Sequence, residues 1–349
     1  MGKRKKTRPV KVGPLTIGGE SGISIQTMWK KPIRAVTNGL IDELEYLRTL
    51  GCDIIRFAVP DLKSAELIGE ICKRNPIPVV ADIHFDYRVA LSCLDFPFAK
   101  IRINPGNIGE RWKVREVASK AQDKGIPLRI GVNGGSLPEN LAAENNPAEA
   151  MVKAAEMEME ILESVNFSDI IVSLKSSDIE TTVNANQLFS SKYDLPLHLG
   201  ITEAGPQITG IVKNALGISR LLSEGIGDTI RVSLSASSED EIIAGREILI
   251  AENRYERGLN IISCPTCGRT TFDVQKFLKE NRELLYSFPK RATVAVMGCP
   301  VNGPGEAKEA DIGITGSGSS VILFRRGVQI ARGSYEETVR RFREELDKL

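Results

Sequence analysis

The sequence predicts an α/β protein in two parts: an N-terminal (β/α)8 TIM barrel over residues 1–254 and a smaller C-terminal α/β domain over residues 255–349. Three observations predict it. Short β-rich runs alternate with amphipathic helical patterns from about residue 24 to residue 235. There are eight such runs, the number that closes a barrel. After about residue 255 the rhythm changes, and three cysteines appear, each beside proline or glycine.

The first fifteen residues, "MGKRKKTRPVKVGPL", are basic and lead into no apolar segment, so they read as a solvated tail and not as a signal peptide. The eight strand runs are "SIQTMW" (24–29), "IIRFAV" (54–59), "PVVADIH" (78–84), "AKIRIN" (99–104), "PLRIGVN" (127–133), "DIIVSLK" (169–175), "PLHLGI" (196–201) and "TIRVSLS" (229–235). Between them, "NGLIDELEYLRTLG" has helical spacing and stops at Gly51. A long helix begins near Pro147, and residues 204–227 and 237–253 repeat the form. Such alternation implies βαβ units and a parallel sheet. A doubly wound sheet is the runner-up, but no run leads into a G-x-G-x-x-G fingerprint and there is no Walker A sequence.

Beyond residue 255, "RTTFDVQKFLKENRELLYSF" (269–288) reads as one helix and "ATVAVMG" (292–298) as a strand. Residues 311–334 read as strands joined by glycine turns. "GSGSS" (316–320) is a hairpin turn there, because no helix follows to make it a phosphate loop. Ser334 and Glu337 form a capping-box pattern that opens the last helix.

A formal net charge of +1 excludes a protein-wide field for nucleic acid or an anionic membrane, so neither is an expected partner. No stretch is apolar enough to span a bilayer. Six cysteines in 349 residues are not a disulfide scaffold, and the expected compartment is the cytoplasm. Cys52, Cys72 and Cys93 stand singly in apolar or helical contexts, as small buried hydrophobes do.

Strands of a parallel barrel should be apolar throughout. Here polar residues occupy alternate positions: Arg56; Asp82 and His84; Lys100, Arg102 and Asn104; Arg129 and Asn133; Ser173 and Lys175; Arg231, Ser233 and Ser235. Isoleucine, valine and leucine fill the positions between and suit contact with the helices. The polar set therefore points into the barrel, toward the strand ends where barrel active sites lie. Four arginines and a lysine of this set, Arg56, Arg102, Arg129, Arg231 and Lys175, with few acids beside them call for an anion, and arginine favours phosphate oxygens. Asp82, His84 and His198 make a poor metal site among so many cations, and hydrogen bonds to substrate hydroxyls suit them better. Glu203, at the end of the seventh run, is placed to be a general acid or base.

Cys264 and Cys267 form a C-x-x-C pair, and Cys299 follows in "MGCPVNGPGEA". Zinc would want a fourth thiolate or imidazole, and neither histidine lies in this domain. A redox disulfide would leave Cys299 unexplained. An iron–sulfur cluster accepts three thiolates and one different ligand, and spacing favours it over zinc or simple packing. Glu306 lies beyond the turn-rich "VNGPG", on a loop able to fold back toward such a site.

The stretches "ADIHFDYRVA", "KIRINPGNIG", "RIGVNGGSL", "HLGITEAG", "GDTIRVSLS", "CPTCGRT" and "GCPVNGPGEA" together resemble the 4-hydroxy-3-methylbut-2-en-1-yl diphosphate synthase family over nearly the whole chain. These are the iron–sulfur enzymes of the non-mevalonate isoprenoid pathway, here in their compact two-domain bacterial form. The resemblance implies a 4Fe–4S cluster held by Cys264, Cys267, Cys299 and Glu306. It implies a cyclic substrate, 2-C-methyl-D-erythritol 2,4-cyclodiphosphate, opened by two electrons from reduced flavodoxin or ferredoxin. Arg56, Arg102, Arg129, Lys175 and Arg231 would hold the diphosphate, with Asn104, Asn133 and Ser233 as neutral donors. Glu203 would move a proton near the departing oxygen, and Glu306 would release an iron for substrate. Two rival readings are a non-enzymatic phosphate-ligand sensor with a structural zinc and a pterin-binding barrel synthase with an electron-transfer domain.

The expected assembly is a head-to-tail homodimer. The eighth helix ends at the barrel face opposite the active site, and residues 253–263 span roughly 35 Å at most. A partner's barrel is then easier to reach than the chain's own mouth.

Overall fold

The computed structural model describes residues 4–104, 108–301 and 303–349. The turn 105–107 of "KIRINPGNIG" and Asn302 of "GCPVNGPGEA" lie outside them. The chain divides into two compact units, Met1–Arg254 and Tyr255–Leu349.

The first unit opens with a short antiparallel hairpin of β1 (Val10–Val12) and β2 (Leu15–Ile17), turning at Gly13 with φ 58°. This corrects the solvated-tail expectation from residue 4 onward. Val10, Val12 and Ile17 are fully buried against Ile54, Val80 and Ile171, which begin or nearly begin their strands. The hairpin therefore plugs the N-terminal end of the barrel. Lys5 donates to the carbonyls of Ser190 and Tyr193, and Arg4 to that of Gly19. The basic residues dominate the composition of this stretch and hide the apolar alternation that follows them.

Eight parallel strands form the barrel: β3 (Ser24–Met28), β4 (Ile54–Ala58), β5 (Val79–Ile83), β6 (Lys100–Ile103), β7 (Leu128–Asn133), β8 (Ile170–Lys175), β9 (His198–Leu199) and β10 (Thr229–Ile230). β10 pairs with β3, and a parallel bridge from Val172 to Leu197 closes the ring between β8 and β9. The runs 196–201 and 229–235 were expected as full strands, but each contributes only two ladder residues. Beyond Leu199 the chains crowd: a Cβ on Gly200 would stand 2.3 Å from the carbonyl oxygen of Arg231. The two segments leave the ladder there and become site loops.

A helix follows each strand: Asn38–Thr49, Leu62–Arg74, Tyr87–Cys93, Arg111–Lys124, Pro147–Glu163, Ile179–Lys192, Gln207–Ser223 and Ser238–Ala251. Thr37, Asp61, Asp86, Asn146, Asp178 and Ser237 cap their amide ends, so six of the eight strand-to-helix loops finish on a side-chain acceptor; Glu110 and Pro206 precede the other two helices without one. Among the described residues no helix is long and apolar enough to cross a membrane.

The second unit has one five-stranded sheet in the order of the chain: β11 (Leu259–Ser263), β12 (Ala292–Met297), β13 (Ile312–Ser317), β14 (Ser320–Arg325) and β15 (Val328–Gly333). The first three are parallel and the last three antiparallel. "GSGSS" turns between Ser317 and Ser320 with Gly318 at φ 60°. Arg326 and Gly327 turn the next hairpin, both with positive φ, the geometry that matches strand twist. The helix expected over 269–288 is instead two, Val274–Glu280 and Arg282–Ser287. Asp273 caps the first, and buried Asn281 donates to the Phe277 carbonyl at the break. The closing helix Tyr335–Leu346 carries the Ser334–Glu337 capping box. Phe272, Phe277, Val294, Val296, Leu323 and Phe342 fill the core.

Candidate active site

The barrel's polar residues face its lumen. Asp82, only 3% exposed, lies at the centre. Arg102 donates to it at 2.9 Å and approaches His84 Nε2 at 2.8 Å, while Arg56 Nε stands 3.5 Å away. Arg102 also donates to the Gly131 carbonyl. A Cβ on Gly131 would meet the Arg102 Nε at 2.3 Å, so glycine alone lets that guanidinium cross. Gly200 gives similar room to Lys175, whose Nζ would stand 2.9 Å from a Cβ there. Asn104 donates to Ser136, and Asn133 is half-buried at the end of β7.

Sequence reasoning missed Glu241 in the helix Ser238–Ala251. Its buried carboxylate accepts from Arg231 at 2.9 Å and from Thr27 at 2.7 Å, and pairs with Lys30 at 2.9 Å. Its position on the buried face of that helix, beside Ile242, was the available signal. The expectation of too few acids is therefore corrected for Arg231, Arg56 and Arg102, which have carboxylate partners. It holds for Arg129 and Lys175. Among the described residues no ion pair serves either one, and Arg129 Nε and Nη1 have no hydrogen-bond partner.

The electrostatics follow from this imbalance. Burial works against the Asp82 anion, but Arg56, His84 and Arg102 outweigh it and hold the carboxyl well below its usual range. Burial first, then the neighbouring Arg56 and Arg102, pushes the Arg129 guanidinium well down. Burial brings Arg56 to about 10. Lys175 is pushed well down by burial and then by Arg129 and Arg231. An anion placed among these groups would reverse each of the downward shifts.

Glu203 follows β9 in an exposed turn, with φ 51°. Left-handed backbone is strained for glutamate, and such strain gathers at functional sites. Glu203, Thr202, Gly205, Arg231, Ser233 and Ser235 line a cavity of about 380 Å3. A second cavity, of about 510 Å3, is lined by Trp29, Lys30, Ile33, Phe57 and Pro60 and shares Arg231. A third, of about 390 Å3, lies near Arg8, Phe167 and Tyr193 at the other end of the barrel and holds none of the expected site residues. His198 is buried, with Nδ1 3.4 Å from Thr229 Oγ1.

In the second unit, Cys264 directly follows β11, and Cys299 lies two residues beyond β12. The strands are parallel neighbours, so both thiols leave the same edge of the sheet. The Cys264 amide donates to the Val296 carbonyl, and the Thr271 amide to that of Gly298, which ties the two loops together. Thr315 donates to the Cys299 carbonyl. The Thr266 amide, on a residue with φ 65°, lies 3.4 Å from the Cys264 sulfur, and Thr270 Oγ1 accepts from the Cys267 amide. All three cysteines are free. Glu306 is on the short helix Gly303–Glu309 between β12 and β13. Among the described residues no three His, Cys, Asp or Glu side chains converge as a metal-ligand set. The donor chemistry nevertheless fits an iron–sulfur cluster: three free thiols at adjacent strand ends, an amide on one sulfur, and a carboxylate on the next connection.

The model of the GcpE TIM-barrel domain matches residues 7–246, and that of the GcpE protein C-terminal domain matches residues 260–348. A Treponema pallidum protein named 4-hydroxy-3-methylbut-2-en-1-yl diphosphate synthase (flavodoxin) is 49% identical over 97% of this chain and 89% of its own length. A protein of the same name from Thermodesulfovibrio yellowstonii is 49% identical over 99% of both chains. Among solved structures, Yersinia pestis dihydropteroate synthase aligns with a TM-score of 0.51 at 10% identity, over 70% of this chain and 97% of that one. That likeness concerns the fold alone.

Proposed function

This chain belongs to the GcpE family of 4-hydroxy-3-methylbut-2-en-1-yl diphosphate synthases, and we propose how its residues divide the reaction. The enzyme reductively opens 2-C-methyl-D-erythritol 2,4-cyclodiphosphate. The bond from the methyl-bearing carbon to its phosphate oxygen breaks, and the neighbouring carbon loses its hydroxyl. Two electrons and a proton enter, and 4-hydroxy-3-methylbut-2-enyl diphosphate and water leave. The relatives bear an enzyme's name, which leaves the zinc-sensor reading without support.

The barrel mouth holds the diphosphate in this reading, and the observation that carries it is the pair of buried cations, Arg129 and Lys175, that no ion pair serves among the described residues. Arg56, Arg102 and Arg231 are oriented by Asp82 and Glu241 and donate to the remaining phosphate oxygens. Asn104, Asn133 and Ser233 add neutral donors. Asp82 and His84 receive the substrate hydroxyls. Glu203 delivers the proton that leaves with the departing hydroxyl. Cys264, Cys267, Cys299 and Glu306 would hold a 4Fe–4S cluster. When bound, the cluster would supply the two electrons, received from reduced flavodoxin or ferredoxin; the relatives' printed name favours flavodoxin.

The protein works as a cytoplasmic head-to-tail homodimer. An exposed apolar stripe on the helix Gln207–Ser223, formed by Ile208, Val212 and Leu216, supports a second copy as partner. The test is anaerobic purification followed by iron and sulfide analysis and by turnover of the cyclic diphosphate with reduced flavodoxin. Iron-free, zinc-loaded protein that binds the ligand without turnover would overturn the reading.

A further inference from the structure

Beneath the barrel mouth lies a second polar layer that the proposed substrate contacts do not use. Lumen-facing residues of such a barrel stack in levels drawn from several strands. The register sets Lys100 beside Val80, Arg102 beside Arg129, and His198 beside Thr229, which in turn lies beside Ser24, two residues before Gln26. Lys100, Gln26 and His198 therefore sit inside the ring, above the apolar plug and below the Arg56–Asp82–Arg102 network. Lys100 is 0% exposed, and its Nζ has no hydrogen-bond partner. Both amide atoms of Gln26 and the Nε2 of His198 also lack one.

Fold stability does not account for this layer. A buried cation without a partner costs several kcal/mol, and valine or isoleucine fills the same level of an ordinary barrel. The nearby acids are already engaged, Asp82 by Arg56 and Arg102, Glu241 by Arg231 and Lys30.

We propose that Lys100 is a positioning residue of the anion site, supplying from the barrel floor a charge that is balanced only when a diphosphate occupies the mouth. The inference rests on reading the mouth as a diphosphate site. The groups around Lys100 support it. Burial first, then Arg129 on β7 and Arg56 on β4, hold its ammonium well below the usual lysine range, and no acid offsets them. Lys175 on β8 feels burial, then Arg129, Arg231, Arg56 and Arg102. His198 on β9 is held down by burial, then Lys175, Arg129, Lys100 and Arg56. A diphosphate favours the protonated form of every one of these groups. Its binding therefore takes up protons, and affinity falls as pH rises.

The experiment is isothermal titration calorimetry on the iron-loaded protein, in buffers of different ionisation heat. The probes are the cyclic diphosphate and, separately, inorganic pyrophosphate. Wild type should take up protons with either ligand. Lys100→Met should weaken both by about tenfold, reduce proton uptake and flatten the dependence of Kd on pH. Its ligand-free Tm should rise, because a buried amine without a hydrogen-bond partner is gone. Lys100→Arg should keep the affinity. Lys100→Gln supplies the same comparison if methionine prevents folding. An uncharged variant with wild-type Kd and wild-type proton uptake overturns the proposal. Wild type that binds pyrophosphate but not the cyclic diphosphate overturns the substrate reading, and the role of Lys100 is then judged on pyrophosphate. Wild type that binds neither overturns both.

Discussion

At the barrel mouth Arg102, Arg129 and Lys175 project from strands and are buried. At the thiol site the cysteines project from loops beyond strand ends, and burial falls from Cys299 through Cys264 to exposed Cys267. The first region carries its cost in charge: among the described residues neither Arg129 nor Lys175 has an ion-pair partner, and in the proposed reading a bound anion relieves them. The second carries little cost when empty, because neutral thiols tolerate partial burial. On the proposed reading, the contrast teaches that a site for a transient anion is built into the fold, whereas a site for a resident cluster leaves its final geometry to the cluster.

The largest effect should come from the thiol side. Cys299→Ser is expected to lose bound iron and all turnover, read by iron analysis and anaerobic assay; an active, iron-loaded variant would break the comparison. Next is complementation. A Glu203→Ala chain and a Cys299→Ser chain, each inactive alone, should regain activity when mixed, since one of the two sites in a shared-site dimer is then intact. Mixed dimers that form and stay inactive would confine both regions to one chain.

Arg129→Ala should weaken binding of the cyclic diphosphate by roughly 1.5–3 kcal/mol, the range for a hydrogen bond to a charged group. An unchanged Kd would remove Arg129 from the site. Glu306→Ala should keep its iron and turn over more slowly, because three thiolates remain. Wild-type turnover would leave Glu306 as a loop residue.

The smallest effect is on stability alone and separates burial for function from burial by packing. Glu158, on the helix Pro147–Glu163, is buried, and its Oε2 has no partner. Burial raises its carboxyl to about 7, with Arg111 opposing. A raised carboxyl stabilises the fold fully below the unfolded value and loses that contribution as pH rises through the folded one. Glu158→Gln should therefore match wild type near pH 4 and exceed it by about 2–3 kcal/mol at pH 8, with turnover unchanged. Denaturant melts at the two pH values measure it.

Much of this was legible in the sequence, for a physical reason. Period-two alternation fixes which face a strand residue takes, so Arg56, Asp82, Arg102, Arg129 and Lys175 were readable as lumen groups. Cysteine spacing likewise singled out Cys264, Cys267 and Cys299 as a candidate set. Glu241 was not legible as their partner, because its helix reaches the lumen cations only after the ring closes, and tertiary closure has no local pattern. Lys100 was visible in the alternation, but its lack of a partner is a fact of packing. The short β9 and β10 followed from backbone crowding at Gly200, which composition does not record.

Residues 7–17 contact partners from far along the chain. Their hairpin packs on Ile171, while Thr7 donates to Asp228 across 221 residues and the Lys5 amide reaches the Gly225 carbonyl. The valines find Ile54 and Val80 early in the chain, but Ile171 and Asp228 complete the contacts only much later. Contacts so distant along the chain make ring closure slow. The N-terminal segment thus acts as a latch on the barrel, and a chain cut before Asp228 lacks the carboxylate to which Thr7 donates.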